Sequence, residues 1–327
     1  MISRREILID LGAVAVAPVT ALGQPQKAPV LIGWLNTGSR ESSGNFLTTF
    51  KEGLSALGWK EGAQFVLEAR WADGNYARLP SLAEELAAKK PAVIVAGPLQ
   101  AVIAAAKAAP ATPIVQASGG DVVATGLAAS LGRPGGMVTG LTNMTGDISE
   151  KYLDLLLEAS PKLRRVGFLL DPGNRNLSVI MDAIRRSIAN RRVEVRFAEA
   201  TTSEQIEPAI ARLAKEGVQG LVLINSAMFR NERRRIVDLT MTRRWPTISA
   251  DSIYTEVGMF LSYGIDVSRN YRRAAFHVDK ILKGTKPGEI PIEQPTHFDF
   301  VVNLKTAKAL GIKVPHTIMI QATKVIE

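Results

Sequence analysis

Six short runs of small polar residues and glycine carry the chemistry that this sequence offers. They are Asn36-Thr37-Gly38-Ser39, Gly97-Pro98-Leu99, Ser118-Gly119-Gly120-Asp121, Asp171-Pro172-Gly173-Asn174-Arg175-Asn176, Asn225-Ser226-Ala227-Met228 and Ala250-Asp251-Ser252. Short hydroxyls and amides ahead of a helix supply neutral donors, and the helix start adds its orphan N–H groups. Together they suit a carboxylate or another anionic group. The same residue types also serve as plain N-caps, so no single one marks a site. Their recurrence at one place in each half of the chain does. Asp121 and Asp251 add one carboxylate to each half, able to take an ammonium by a charge-assisted hydrogen bond. The sequence therefore expects a small zwitterion or carboxylate as ligand. Ser118 and Asn225-Ser226 would hold its anionic end, and Asp121 or Asp251 its ammonium. Tyr254 and Tyr263 are candidate rings to stack on it, and Thr142 is a further candidate polar contact.

Catalytic signatures are missing. The sequence has no nucleophile elbow, no HExxH and no EF-hand loop. His277, His297 and His316 lie far apart without the i,i+4 spacing of a helical metal pair, so they read as core or surface histidines. The glycine-rich stretch 119–140, GGDVVATGLAASLGRPGGMVTG, contains neither GxxxxGK[ST] nor GxGxxG and so is not a phosphate loop. There is no cysteine, which excludes disulfides, thiolate metal sites, a cysteine nucleophile and a lipid-bearing N-terminal Cys. We expect no enzyme, no metal and no cofactor, with an exported enzyme on a bilobal α/β scaffold as the alternative. The net charge of +9 sits on scattered arginine pairs and on the cluster at 230–235. These read as solvated helix faces, and no nucleic-acid partner is expected.

The polar runs need a frame that brings them together. Apolar β-branched runs alternate with helical spacing, the mark of parallel α/β architecture. Strands are expected at 29–35, 65–71, 92–96 and 113–116, with helices at 46–57, 79–89 and 100–109. Asp121 is expected to cap a short helix over 122–131, ahead of a turn at Arg133-Pro134-Gly135-Gly136 and a short strand over 138–142. The order then repeats with an offset of roughly 130 residues, a domain-sized period. Arg165-Val166-Gly167-Phe168-Leu169-Leu170 answers the first strand, 193–197 the second, and Trp245-Pro246-Thr247-Ile248-Ser249 the fourth. Two similar Rossmann-like α/β lobes would place all six polar runs at the carboxyl ends of strands, facing one cleft.

The first residues read differently. Ser3-Arg4-Arg5-Glu6-Ile7-Leu8 precedes an apolar run at 11–22 and then Gln24-Pro25-Gln26-Lys27. This is expected to be an export signal over 1–24, and Arg4-Arg5 resembles the twin-arginine motif. No apolar run reaches the about 20 residues of a membrane-spanning helix. The expected location is the periplasm, free and without a lipid anchor.

The stretch GDVVATGLAASLGRPGGMVTG resembles the "GDPV…GLV.SL.RPGGN.TG" signature of the ABC-transporter substrate-binding proteins that include aromatic-amino-acid binders. Residues 281–315, ILKGTKPGEIPIEQPTHFDFVVNLKTAKALGIKVP, resemble the tail of that family. Val122 and Met137 depart from the signature, where the family has Pro and Asn, so ligand identity does not carry over. The resemblance implies a type I periplasmic binding fold, with two lobes joined by a multi-strand hinge that crosses three times. The crossings are expected at 140–146, 263–266 and 294–300. One lobe would take 29–143 with 264–291, and the other 144–263 with 292–327. The resemblance further implies a small-molecule ligand, a membrane ABC permease as partner, and a monomer.

Overall fold

Strands that are buried on both faces read as continuous Val, Ile and Leu runs, and they belong to parallel sheets sandwiched between helices. In the computed structural model, which describes residues 28–189 and 191–327, these runs form two such sheets. The N-terminal export signal lies outside the described residues. The first half runs β1 (Val30–Asn36), α1 (Arg40–Ala56), β2 (Phe65–Trp71), α2 (Leu79–Ala88), β3 (Val93–Gly97), α3 (Leu99–Ala108), β4 (Ile114–Gln116) and β5 (Val138–Gly140). Its five-stranded sheet has the order β2-β1-β3-β4-β5 with every pairing parallel.

The second half repeats the plan. It runs α4 (Thr145–Ala159), β6 (Arg165–Leu170), α5 (Leu177–Ile188), β7 (Glu194–Glu199), α6 (Ser203–Lys215), β8 (Gly220–Leu223), α7 (Ala227–Asn231), α8 (Arg233–Thr242), β9 (Thr247–Ser249), α9 (Ser252–Glu256) and β10 (Leu261–Gly264). Then come α10 (Val267–Leu282), β11 (Asp299–Asn303), α11 (Leu304–Leu310), α12 (His316–Gln321) and β12 (Lys324–Ile326). The second sheet has the order β12-β11-β10-β9-β8-β6-β7, in which β11 runs antiparallel to β10. Read outward from β7, the order β7-β6-β8-β9-β10 matches β2-β1-β3-β4-β5 strand for strand.

Each sheet is covered on both faces. In the first, α2 and α3 pack on one face through Leu82, Leu86 and Val102. The other face takes α1 and α10 through Phe46, Phe50, Tyr271 and Val278. In the second, α4 and α5 cover one face and α6 to α9 the other. Helix α10, although it follows β10 in sequence, lies along α1, with the Trp59 indole N–H donating to Asp279 at 2.8 Å. Among the described residues no helix is long and apolar enough to cross a membrane.

The helix expected over 122–131 does not form. Asp121 accepts from the N–H groups of Val123 and Ala124, but the chain then coils into turns, with Leu127 and Ala128 both donating to the Val122 carbonyl. Gly126 sits at φ 74°, a left-handed conformation that ends helical geometry at once.

The chain passes between the sheets in three places. It runs from β5 to α4, from β10 to α10 through Ile265 and Asp266, and from Ile292-Glu293 to β11. The third passage begins alongside the first: Glu293 N–H donates to Gly140, and Thr142 N–H donates back to Glu293, both at 2.9 Å or less. Both β5 and β10 end in glycine. At Gly140 the φ is 128°, and an added Cβ would fall 2.1 Å from the Gln116 carbonyl oxygen. At Gly264 it would fall 2.0 Å from that of Ala250. Gly140→Ala is therefore expected to lower stability by about 2–4 kcal/mol in urea unfolding. Gly126→Ala, left-handed but with open space around it, is expected to cost only about 1 kcal/mol.

Candidate functional site

The carboxyl ends of the two sheets face each other across a cavity of about 150 Å³, the size of an engineered cavity that takes benzene. Asn36 and Thr37 reach it from the end of β1, and Ser118 and Gly119 from the end of β4. From the second half come Asn174 and Asn176 after β6, Asn225 and Ser226 after β8, and Asp251 after β9. Nine of the sixteen candidate ligand residues thus line one cavity.

The other seven sit elsewhere. Ser39 caps α1 by accepting from Ser42 N–H and reaches Asn231 at 3.3 Å. Gly97 leaves room for the Tyr271 hydroxyl, 2.8 Å from where its Cβ would be, and Gly120 does the same for the Asn176 amide. Thr142 is buried beside the Gly120 carbonyl. Asp121 is exposed and spent on its own turn. Tyr254 is fully buried among α6 to α9, where its hydroxyl donates to Asn225 at 2.8 Å and so orients a lining amide. Tyr263 stacks on Phe298 at the hinge, with the Lys151 ammonium over its ring. Neither tyrosine lines the cavity, because β10 and α9 turn their side chains into the second core.

Rings of a different origin do line it: Phe46 on α1, Tyr76 in the turn before α2, Tyr152 on α4 and Tyr271 on α10. Phe46 and Tyr271 stack, with centroids 4.7 Å apart at 12°, and Asn36 donates to the Tyr271 hydroxyl at 2.9 Å. Arg230 lines the cavity too. It belongs to the cluster read from sequence as a solvated face, yet it is only 7% exposed. It forms an ion pair with Asp251, donates from Nε to the Ser42 carbonyl at 2.9 Å, and lies 4.8 Å over the Phe46 ring. Asp251 is thus neutralised, with its other oxygen accepting from Ile253 N–H at 3.1 Å. Position could have revealed Arg230, since it lies one helical turn beyond the Ser226 cap.

The halves touch through polar contacts around the cavity. The Tyr76 hydroxyl donates to Asp171 at 3.1 Å and the Gln100 amide to the Gly173 carbonyl at 3.2 Å. Helices α3 and α5 start without a side-chain cap at Pro98 and Asn176, so their N–H groups leave a positive potential beside the cavity. Burial pushes the Asp171 carboxyl up, against the Ser226 hydroxyl, the Gly173 N–H and the Tyr76 hydroxyl, which pull it down. Among the described residues no group of three or more His, Cys, Asp or Glu could hold a metal.

A family model described as ABC transporter substrate binding protein matches residues 39–326. The chain belongs to that family, whose members are the solute-capturing component of ABC transporters. Its fold is the type I periplasmic binding fold, two α/β lobes on a shared hinge. The relatives agree. A tyrosine-binding protein of Clostridioides difficile is 23% identical over 264 residues, 81% of this chain and 76% of that protein. A conserved domain protein of Vibrio cholerae has a TM-score of 0.84 at 24% identity, covering 90% of this chain and 99% of that one. A Streptococcus pneumonia ABC domain in complex with L-Trp has a TM-score of 0.83 at 20% identity, covering 91% of this chain and 100% of that one.

Two outcomes are expected. Asp251→Ala leaves Arg230 charged and buried, so it should cost about 3–5 kcal/mol of ligand-free stability, and Asp251→Ala with Arg230→Met should cost less; chemical denaturation measures both. A folded-state pKa above the unfolded value of about 3.9 means that Asp171 favours the fold below that pH and loses this contribution as pH rises through its folded value. Asp171→Asn should therefore flatten the fall in melting temperature above about pH 4.

Proposed function

We propose that this protein captures a small molecule, an amino acid or small carboxylate, between its lobes in the periplasm and delivers it, as a monomer, to an ABC importer. The lobes would be 29–143 with 264–291 and 144–263 with 292–327, closing about the three crossings. The N-terminal segment read as an export signal supports the location. The observation that carries the reading is the mixed lining of the cavity. Amides and hydroxyls from both halves surround a space of about 150 Å³ that also presents four aromatic rings and one buried arginine. Such a lining suits a compact ligand with one polar, anionic end and one flat or apolar body. The rings at Phe46, Tyr76, Tyr152 and Tyr271 replace those expected at Tyr254 and Tyr263, and they favour a ring-bearing ligand. The tyrosine-binding relative and the L-Trp complex support the same class.

A thermal-shift and calorimetry panel tests this: L-tyrosine, L-tryptophan, L-phenylalanine, small aliphatic and aromatic carboxylates, and neutral sugars. A carboxylate-bearing compound should raise the melting temperature by mass action, with about 2.7 kcal/mol of stabilisation at 100 times its Kd. If only neutral sugars bind, the assigned ligand class is wrong.

A further inference from the structure

Arg230 and Thr37 share one corner of the cavity. The Gly74 N–H donates to the Thr37 carbonyl at 2.8 Å, and Gly74 itself lies against Met228 and Asn231, which flank Arg230 on α7. Both residues line the cavity and both are more than nine-tenths buried. Nevertheless neither is fully satisfied. Arg230 uses Nε on the Ser42 carbonyl and Nη1 on Asp251, so its Nη2 hydrogens are the ones left for a ligand. The Thr37 hydroxyl is buried with no hydrogen-bond partner among the described residues. A buried hydroxyl is rarely left unpaired, because nothing in the fold repays its lost hydration. Here the missing acceptor has a place to sit, since both groups border the same empty space.

The guanidinium fork matches a planar two-oxygen acceptor, and its positive charge repels an ammonium. Resting on the reading of this cavity as the ligand site, we propose that Arg230 and the Thr37 hydroxyl form an anion subsite that binds the ligand's carboxylate. Asp251 is the counter-ion that keeps the guanidinium in place when no ligand is bound. It is the one acid among the described lining residues, and it is already paired. Affinity therefore follows the carboxylate, and the ammonium of an amino acid adds little. The body of the ligand then lies toward the stacked Phe46 and Tyr271 rings, the Phe46 ring being 4.8 Å from the guanidinium.

Three probes that differ by one group separate these roles: L-tyrosine, 3-(4-hydroxyphenyl)propionate, which lacks the ammonium, and tyramine, which lacks the carboxylate. Calorimetry on the wild-type protein should give the propionate an affinity within about tenfold of the amino acid, and tyramine ~30-fold less or weaker. Arg230→Met should weaken carboxylate binding by ~30-fold or more, and Arg230→Lys should recover part of it. Should Arg230→Met fail to fold, Arg230→Met with Asp251→Asn removes both buried charges and reads the same loss. The subsite is overturned if a folded Arg230 variant holds the carboxylate within about threefold of wild type, or if tyramine binds as tightly as the propionate. If no carboxylate of the wider panel binds at all, the proposed ligand class is wrong and takes the subsite with it.

Discussion

Every group that reaches the cavity does so from the carboxyl end of a parallel strand or from the first turns of the helix that follows. This is a constraint of the architecture. A parallel strand must return by a crossover, so its carboxyl end is always followed by a loop and usually by a helix start with unpaired N–H groups. Two such sheets facing each other leave a space lined by loop amides, hydroxyls and helix dipoles, with no further design. Asn36, Ser118, Asn174, Asn225 and Asp251 all arrive in this way. The hinge then has to enter and leave by the same edge, which is why β5 and β10 both end in a glycine whose Cβ would strike the neighbouring strand's carbonyl.

Within that frame, charge decides what the cavity can hold. A buried guanidinium is costly unless paired, and Asp251 supplies the pair. The pairing also removes Asp251 from the role that its position suggests, since a carboxylate already neutralised has little left for a ligand ammonium. Asp171, the other acid near the cavity, is pushed toward its neutral form by burial. Asp251 is therefore not a free anion, Asp171 is already engaged by the Tyr76 hydroxyl and the Gly173 N–H, and the helix starts of α3 and α5 add to a positive potential. The cavity's polarity is set by what pairs with what, and composition alone does not show it.

That distinction explains how far the sequence could be read. The strands and most helices were legible because a buried parallel strand must be a continuous apolar run, as Val93–Gly97 is, buried at every residue. The loops after those strands were legible as well, so the residues that line the cavity from strand ends were found. The residues missed arrive by helical geometry. Phe46 and Tyr271 lie one turn or more into α1 and α10, and the periodicity that points them at the cavity is the same that points others into the core. Tyr254 shows the converse: it stands beside a lining loop, but its ring turns inward and only its hydroxyl acts, through Asn225. Arg230 was misplaced because the four arginines within 230–235 read as one solvated surface, while the first of them is buried by an ion pair 21 residues away.

The contacts between the halves bear on how such a cavity opens. They are polar and few around its rim: Tyr76 to Asp171, Gln100 to Gly173, Ser39 to Asn231 and Arg230 to Ser42. Each would be exchanged for a hydrogen bond to water if the lobes parted, so each contributes only about 0.5–1.5 kcal/mol net. Their sum is comparable to the roughly 5.5 kcal/mol that turns a 1:99 equilibrium into 99:1. Closure held by terms of that size is close to balance, and a ligand that touches both halves at once supplies a term of the same order that the open form cannot have. A large apolar interface would have locked the lobes whether or not the cavity was filled. The rim stays polar, and the apolar rings are kept inside the cavity, where a bound molecule reaches them.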